Sequence, residues 1–254
     1  MSNEATVYFS VALLLFLAVV ALVYLVWSIR RSRFTVAQYF YYLYGRVMTR
    51  ILYRAQIRGK LELAPGQGAV IVCNHRSPFD PAFIQLATDR VVHWMVAREY
   101  CSHPLYSWFF TIPEAIPVGR AGIDTAATKM AIRYAKRGDM VGMFPEGRLN
   151  DTTALLLPGR PGAVLVALKA EVPIIPCYIT GSPRGKTLIG SMFVPANGKL
   201  VIGKPIDISA YYGREKDREV LEEVTLLVLR EIASLAGDHE FTPALAGRRW
   251  LPEA

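Results

Sequence analysis

The chain has 254 residues, 52% of them hydrophobic, and its 29 Lys and Arg against 21 Asp and Glu leave a formal charge of +8. That apolar share is high for a wholly soluble domain. The dispersed cysteines Cys73, Cys101 and Cys177 argue against a zinc site or disulfide framework and for a reducing compartment. A basic balance by itself suits nucleic acid, an anionic membrane surface or an acidic substrate equally.

The N-terminus decides among these. Residues 7–29 read VYFSVALLLFLAVVALVYLVWSI, with no charge, proline or glycine. A helix of that length measures about 34 Å, enough for a bilayer core. It is apolar on every face, unlike a packed surface helix. It is also long for a signal peptide, with no basic stretch before it and no small-x-small site after it. The expectation is a retained transmembrane anchor over residues 1–29. Residues 30–60 hold eight Lys or Arg and no acid, whereas only Glu4 precedes the span. By the positive-inside rule the N-terminus lies outside and the rest of this single-pass chain on the cytoplasmic face of the cell (inner) membrane.

Residues 30–57 form a basic and aromatic segment. Arg46, Arg50 and Arg54 recur every four residues, and Tyr39, Phe40, Tyr41, Tyr42 and Tyr44 supply rings. The pattern predicts an interfacial amphipathic helix on anionic lipid; an ordinary amphipathic helix packed on the domain fits it as well. Beyond it, apolar runs at 69–73, 91–97, 115–119, 140–144 and 173–179 read as buried strands. Helical patterns fall at 81–88, 104–111, 124–136, 161–170 and 214–235, with Asp80 as a cap before Pro81. The alternation predicts an α/β domain over residues 58–236, with a largely parallel sheet and flanking helices. The tail, 237–254, has no periodicity.

In such a sheet, ligand sites form beyond the carboxyl ends of strands. One predicted strand runs out at CNHRSPFD, where His75 is an imidazole able to act as a base if a partner fixes its tautomer. Asp80 is within reach as that partner, although the residues alone also fit a helix cap and a turn histidine. A second strand ends in FPEGRLN, bearing Glu146, Gly147 and Arg148, which also fits a plain Pro-Gly turn with solvated charges. IPVGR puts Arg120 just past a third, where a guanidinium can clamp a phosphate or simply lie in solvent. VPIIP, a buried strand, fits plain core.

Taken together and in order, HRSPFD, IPVGR, FPEGR and VPIIP resemble the four motif blocks of the glycerolipid acyltransferase family, of the bacterial 1-acylglycerol-3-phosphate acyltransferase type. The resemblance spans roughly residues 58–206 and implies an α/β fold with an active site facing the membrane surface. It implies His75 and Asp80 as the catalytic pair. It matches Arg120 to the arginine of the second block and Glu146 and Gly147 to the third, which helps bind the acceptor's phosphate, and VPIIP to the fourth, nearer the acyl chain. One departure stands out: the family's FPEGTRS is FPEGRLN here, so the arginine comes one position early as Arg148 and Asn150 replaces the serine. Either the loop brings Arg148 to the same phosphate, or the acceptor is a different lysolipid. Arg98, in a stretch where the family usually carries Lys, and Arg160, in PGRPG, are further candidates for a phosphate contact.

The chemistry implied is direct. His75 takes the proton of the acceptor hydroxyl as it attacks an acyl thioester, and Asp80 stabilises the imidazolium. No enzyme nucleophile, metal or cofactor is required; acyl-CoA or acyl carrier protein is the donor substrate, and a lysophospholipid the acceptor. Cys73, two residues before His75, offers a covalent route on paper but reads as a small strand residue. Two other classes stay open, a lipid-binding scaffold and a hydrolase passing the acyl group to water. Nucleic acid is not an expected partner, because the basic residues flank the anchor and no recognised binding motif is present.

Overall fold

The computed structural model describes residues 3–105, 107–119, 124–184 and 188–247. Helix α1, Asn3–Arg31, precedes α2, Val36–Val47, and a π-helical turn, Met48–Leu52. The domain then follows as β1 (Gln56–Arg58), β2 (Ala69–Cys73), α3 (Asp80–Gln85), β3 (Val92–Ala97), α4 (Arg98–Ser102), α5 (Ser107–Thr111) and β4 (Ile116–Val118). It continues with α6 (Thr125–Lys136), β5 (Met140–Met143), α7 (Gly162–Ala170), β6 (Ile174–Thr180), α8 (Leu188–Met192), β7 (Lys199–Ile202) and α9 (Arg218–Leu235).

The seven strands form one sheet in the order β1-β7-β6-β2-β5-β3-β4. Every pairing is parallel except β6 with β7. The expected strands are all present, shifted by at most two residues at an end. β1, at the edge, and β7 beside it were not anticipated: both are short, β1 has no buried position and β7 has only Leu200 and Ile202, so they carry no continuous apolar run.

The pleat sorts β2 between two cores. Val70 and Val72 join α6, α7 and α9 on one face, while Ala69, Ile71 and Cys73 meet α3 and Tyr53 on the other. Packing between β3 and β5 depends on Gly142, which is paired with Trp94; a Cβ there would stand 2.5 Å from the indole. Helix starts follow capping chemistry. Asp124 accepts from the Ala126 and Ala127 N–H groups at the head of α6, and Asp217 does the same for α9.

Two local expectations change. Asp80 is the first residue of α3 rather than its cap, and its carboxylate is used elsewhere. The regular spacing of Arg46, Arg50 and Arg54 is broken by the π-helical turn, after which Arg54 adopts φ +45°. That exit lets Tyr53 enter the core, where it stacks on Phe83 and donates from its hydroxyl to the Met192 carbonyl at 2.8 Å. Arg54 instead reaches Asn197.

Helix α1 is apolar and exposed along its length, and it is long enough to cross a membrane. Helix α2 starts in a capping box between Thr35 and Gln38. It buries Gln38 and Tyr42 against the domain and leaves Val36, Phe40, Leu43, Val47 and, one turn on, Ile51 exposed as a stripe.

Candidate active site

Because β2, β5, β3 and β4 run in parallel, their carboxyl ends share one edge. His75 lies two residues beyond β2, Glu146 three beyond β5, and Arg98 directly beyond β3. Arg120 lies outside the described residues.

His75 Nδ1 and Asp80 Oδ2 are 3.1 Å apart. Asp80 is fully buried, and the same oxygen accepts from the backbone N–H of Arg76 at 2.7 Å and of Ser77 at 2.8 Å. Three donors on one carboxylate oxygen fix the turn and hold the imidazole with its Nδ1 side occupied, leaving Nε2 for chemistry. The ring lies flat on Phe144, with centroids 3.7 Å apart at an interplanar angle of 7°. Phe144 carries Trp94 on its other face at 4.7 Å.

Glu146 clamps this turn from the neighbouring strand. One oxygen accepts from the His75 N–H at 2.7 Å and the other from the Leu157 N–H at 2.8 Å. The residue is 2% exposed, and burial holds its carboxyl above the usual range against the pull of those two N–H groups. Each oxygen is thus engaged by backbone, and an acceptor-only group offers nothing to a phosphate. In this geometry Glu146 positions the His75 turn.

The loop after Glu146 is laced to the same turn. Asn150 donates its N–H to the His75 carbonyl at 2.7 Å. Its side chain bridges Ala154 and Thr152, and Arg76 donates to the carbonyls of Asn150, Thr152 and Ala154. Gly147 has φ +71°, and a Cβ there would meet the Arg160 side chain at 3.2 Å, so glycine lets Arg160 cross the loop. Arg148 is exposed beside it. Arg98 is half-exposed and pairs with Asp124 at 2.7 Å. Asp124 also accepts from the Gly119 N–H at 2.9 Å, which ties Arg98 to the end of β4. Asp124 is held below the ordinary carboxylate range chiefly by its backbone N–H donors at Ala127 and Gly119.

Cys73 is fully buried, and desolvation pushes its thiol well up, which disfavours a thiolate nucleophile.

The sequence model of the acyltransferase family matches residues 54–180, half of the chain. The chain belongs to that family. Among relatives of this acyltransferase, the 1-acyl-sn-glycerol-3-phosphate acyltransferase of Bacillus subtilis is 27% identical over 71% of the chain and 87% of its own length. The enzyme of the same name from Streptococcus pneumoniae is 30% identical over 55% of the chain and 50% of its own. The crystal structure of the 1-acyl-sn-glycerophosphate (LPA) acyltransferase PlsC from Thermotoga maritima shares the fold, with a TM-score of 0.60 at 22% identity over 79% of this chain and 78% of that one. These relatives make the acyltransferase an enzyme of the glycerolipid type.

Three features of the site carry no plain signal in the sequence. Asn74 is fully buried and pairs twice with the Ile179 backbone, at 2.8 and 2.7 Å, prolonging the contact of β2 with β6. Arg76 spends its guanidinium on the carbonyls of the loop after Glu146. An apolar cavity lies behind the His75 turn, walled by Tyr42 of α2, Phe79, Trp94 and Val96 of β3, and Phe109 of α5. The tyrosine run that reads as an interfacial belt thus also lines the interior.

Proposed function

We propose that the acyltransferase moves a fatty acyl group from a thioester to the free hydroxyl of a lysophospholipid, converting 1-acylglycerol-3-phosphate to phosphatidic acid. The observation that carries this reading is the His75–Asp80 pair, anchored by three donors on Asp80 and by Glu146 on the His75 N–H. His75 Nε2 takes the proton from the acceptor hydroxyl as it bonds to the acyl carbonyl carbon. Asp80 stabilises the imidazolium, and the proton leaves on the departing thiol as the C–S bond breaks. The reaction so written uses no metal or cofactor, and acyl-CoA or acyl carrier protein serves as donor. Arg98, Arg120, Arg148 and Arg160 supply cations for the acceptor's phosphate. Gly147 keeps the loop open for Arg160.

In this reading α1 is the membrane anchor, and the exposed apolar stripe of α2 lies in the headgroup layer with Arg46 and Arg50 toward anionic lipid. The domain faces the cytoplasm, so a lipid acceptor arrives laterally and a soluble donor from the aqueous side. The cavity behind the His75 turn takes an acyl chain.

The test is transfer by the purified full chain, reconstituted in vesicles, from acyl-CoA and from acyl carrier protein to a panel of lysolipids. Phosphatidic acid formed from 1-acylglycerol-3-phosphate supports the proposal. Transfer only to another headgroup overturns the acceptor assignment and leaves the mechanism. Free fatty acid in place of the acylated lipid would identify a hydrolase. Extraction of the protein from membranes at alkaline pH would refute the anchor.

A further inference from the structure

Residues 100–113 read YCSHPLYSWFFTIP, with five aromatic rings and no Lys, Arg, Asp or Glu. They take in the end of α4, all of α5 and most of the link to β4. Clustered apolar side chains at a surface mark a contact with something else. Beyond residue 51, the large hydrophobic side chains exposed among the described residues are Tyr100, Leu105, Trp108, Leu149 and Phe193. Three of these belong to this one segment, with Leu105 58% and Trp108 60% exposed. All of them stand on connections that leave the carboxyl ends of β3, β5 or β6, the edge that carries His75.

What covers this segment follows from its neighbours and its hydrogen bonds. It is joined to α2: the Phe109 ring meets Tyr41 with centroids 5.0 Å apart, and Gln38 Nε2 donates to the Ile112 carbonyl at 3.1 Å. It therefore lies beside the helix that carries the exposed stripe of Phe40, Leu43 and Val47. Its donors are also satisfied from within. Trp108 Nε1 donates to the Leu105 carbonyl at 3.0 Å, Thr111 Oγ1 to the Ser107 carbonyl at 2.8 Å and Ser102 Oγ to the Arg98 carbonyl at 3.0 Å. Groups paired in this way can leave water without the cost of a stranded donor. Trp and Tyr are the side chains that collect where headgroups meet hydrocarbon. A charged protein partner would find no Lys, Arg, Asp or Glu here to pair with.

Resting on the reading of α1 and α2 as membrane elements, we infer that residues 100–113 form a second membrane-inserting element, with Leu105 and Trp108 seated below the phosphates of the leaflet in which α2 lies. The segment leaves the sheet at the carboxyl end of β3. Its insertion holds that edge, and His75 with it, against the lipid, and it does so from a part of the chain separate from the N-terminal helices.

The experiment places a nitroxide on Leu105→Cys and, separately, on Trp108→Cys in the full chain, reconstituted in phosphatidylcholine–phosphatidylglycerol vesicles. Cys101→Ser removes the one partly exposed thiol, and the buried Cys73 and Cys177 stay. Power saturation of the spin signal reads collisions with oxygen, which concentrates in the bilayer, and with a nickel chelate, which stays in water. Phe40→Cys reports on α2 in the same way, and Arg133→Cys, exposed on α6, gives the aqueous reference. Both hairpin positions are exposed, so the labels leave the fold intact, as unfolding midpoints near wild type verify. The expected result at 105 and 108 is nickel access several times lower than at 133, with oxygen access higher. Nickel access equal to that at 133, at either position, overturns the inference; with position 40 immersed, it leaves the reading of α2 standing. Exclusion of both reagents would mean burial against protein, a second copy of this chain, and overturns it too. Immersion at 105 and 108 with position 40 in water supports the inserted hairpin and refutes the placement of α2.

Discussion

Two histidines in this domain have nearly the same surroundings on paper. His75 stacks on Phe144, with Asp80 Oδ2 3.1 Å from Nδ1. His93 stacks on Tyr134 at 3.9 Å, with Glu114 Oε2 3.9 Å from Nδ1 and Asp139 Oδ2 3.9 Å from Nε2. The differences lie in distance, access and place. The acid beside His75 makes a true hydrogen bond, whereas Nδ1 of His93 is 3.2 Å from the Glu114 backbone carbonyl, its nearest partner. The His75 side chain is 17% exposed at the carboxyl edge of the sheet; that of His93 is 3% exposed at the opposite end of β3. An imidazole, a ring and a carboxylate together do not make a base. Of the two, His75 alone joins a carboxylate hydrogen bond on Nδ1 to access at the carboxyl edge of the sheet.

The comparison is broken most severely at His75. His75→Ala is expected to lower kcat by about a thousandfold or more, within the range for losing a positioned base, while circular dichroism and thermal unfolding stay near wild type. His93→Gln is expected to reverse the pattern, with kcat per folded molecule unchanged and the unfolding midpoint lowered. Activity surviving in His75→Ala would end the assignment of the base. Asp80→Asn comes next. Because Oδ2 alone meets Arg76, Ser77 and His75 Nδ1, an amide either keeps its oxygen there as a neutral acceptor that stabilises the imidazolium less, or turns N–H₂ toward all three donors, and kcat falls by about a hundredfold or more. KM should change little, and the separation of the two parameters in steady-state kinetics checks the point.

A smaller effect belongs to Glu146. Glu146→Gln keeps one acceptor and presents an amide donor to either the His75 or the Leu157 N–H. One buried N–H is left unpaired, at a cost of about 1–3 kcal/mol in stability by denaturant titration. Activity falls through displacement of His75, and kcat suffers more than the KM for the acceptor. A rise confined to acceptor KM would show instead that the carboxylate touches the headgroup.

How much of this was legible follows from which interactions are local. The strands announced themselves through uninterrupted apolar runs, because a parallel sheet is buried on both faces. His75 and Asp80 could be paired from sequence because five positions separate them and the turn between is short. Long-range contacts left no such trace. Glu146 meets His75 across 71 positions and Asn74 meets Ile179 across 105, and residue type alone does not say that a carboxylate will be consumed by backbone. Arg98 read as a candidate phosphate contact, yet it is paired with Asp124, and nothing in the sequence shows that Arg76 is spent on carbonyls. The edge strand β1 and its neighbour β7 were hidden because neither carries a continuous apolar run. Tyr42 turned inward because only one side of α2 meets the domain.

The smallest effect sharpens the comparison by titration. Burial lowers the pKa of His93 below its ordinary value, opposed by the Glu114 carbonyl and by the Asp139 and Glu114 carboxylates, and reinforced by Arg137. A group whose folded pKa is depressed contributes fully above its unfolded pKa, about 6.5 for histidine, and loses that contribution as pH falls through the folded value. The protein is therefore expected to lose stability between roughly pH 6.5 and the lower folded pKa of His93, as the unfolded chain takes up a proton that the native site resists. Thermal midpoints recorded across this range would fall with pH in the wild type. His93→Gln, neutral throughout, would start lower and show a shallower slope in the same window. An unchanged slope would remove His93 from the account of acid stability. Because Glu114 also accepts from Gln38 Nε2 at 3.4 Å, the same titration reports on the packing of α2. Gln38→Ala is expected to cost stability at every pH without altering the slope, which separates loss of the helix contact from protonation of the imidazole.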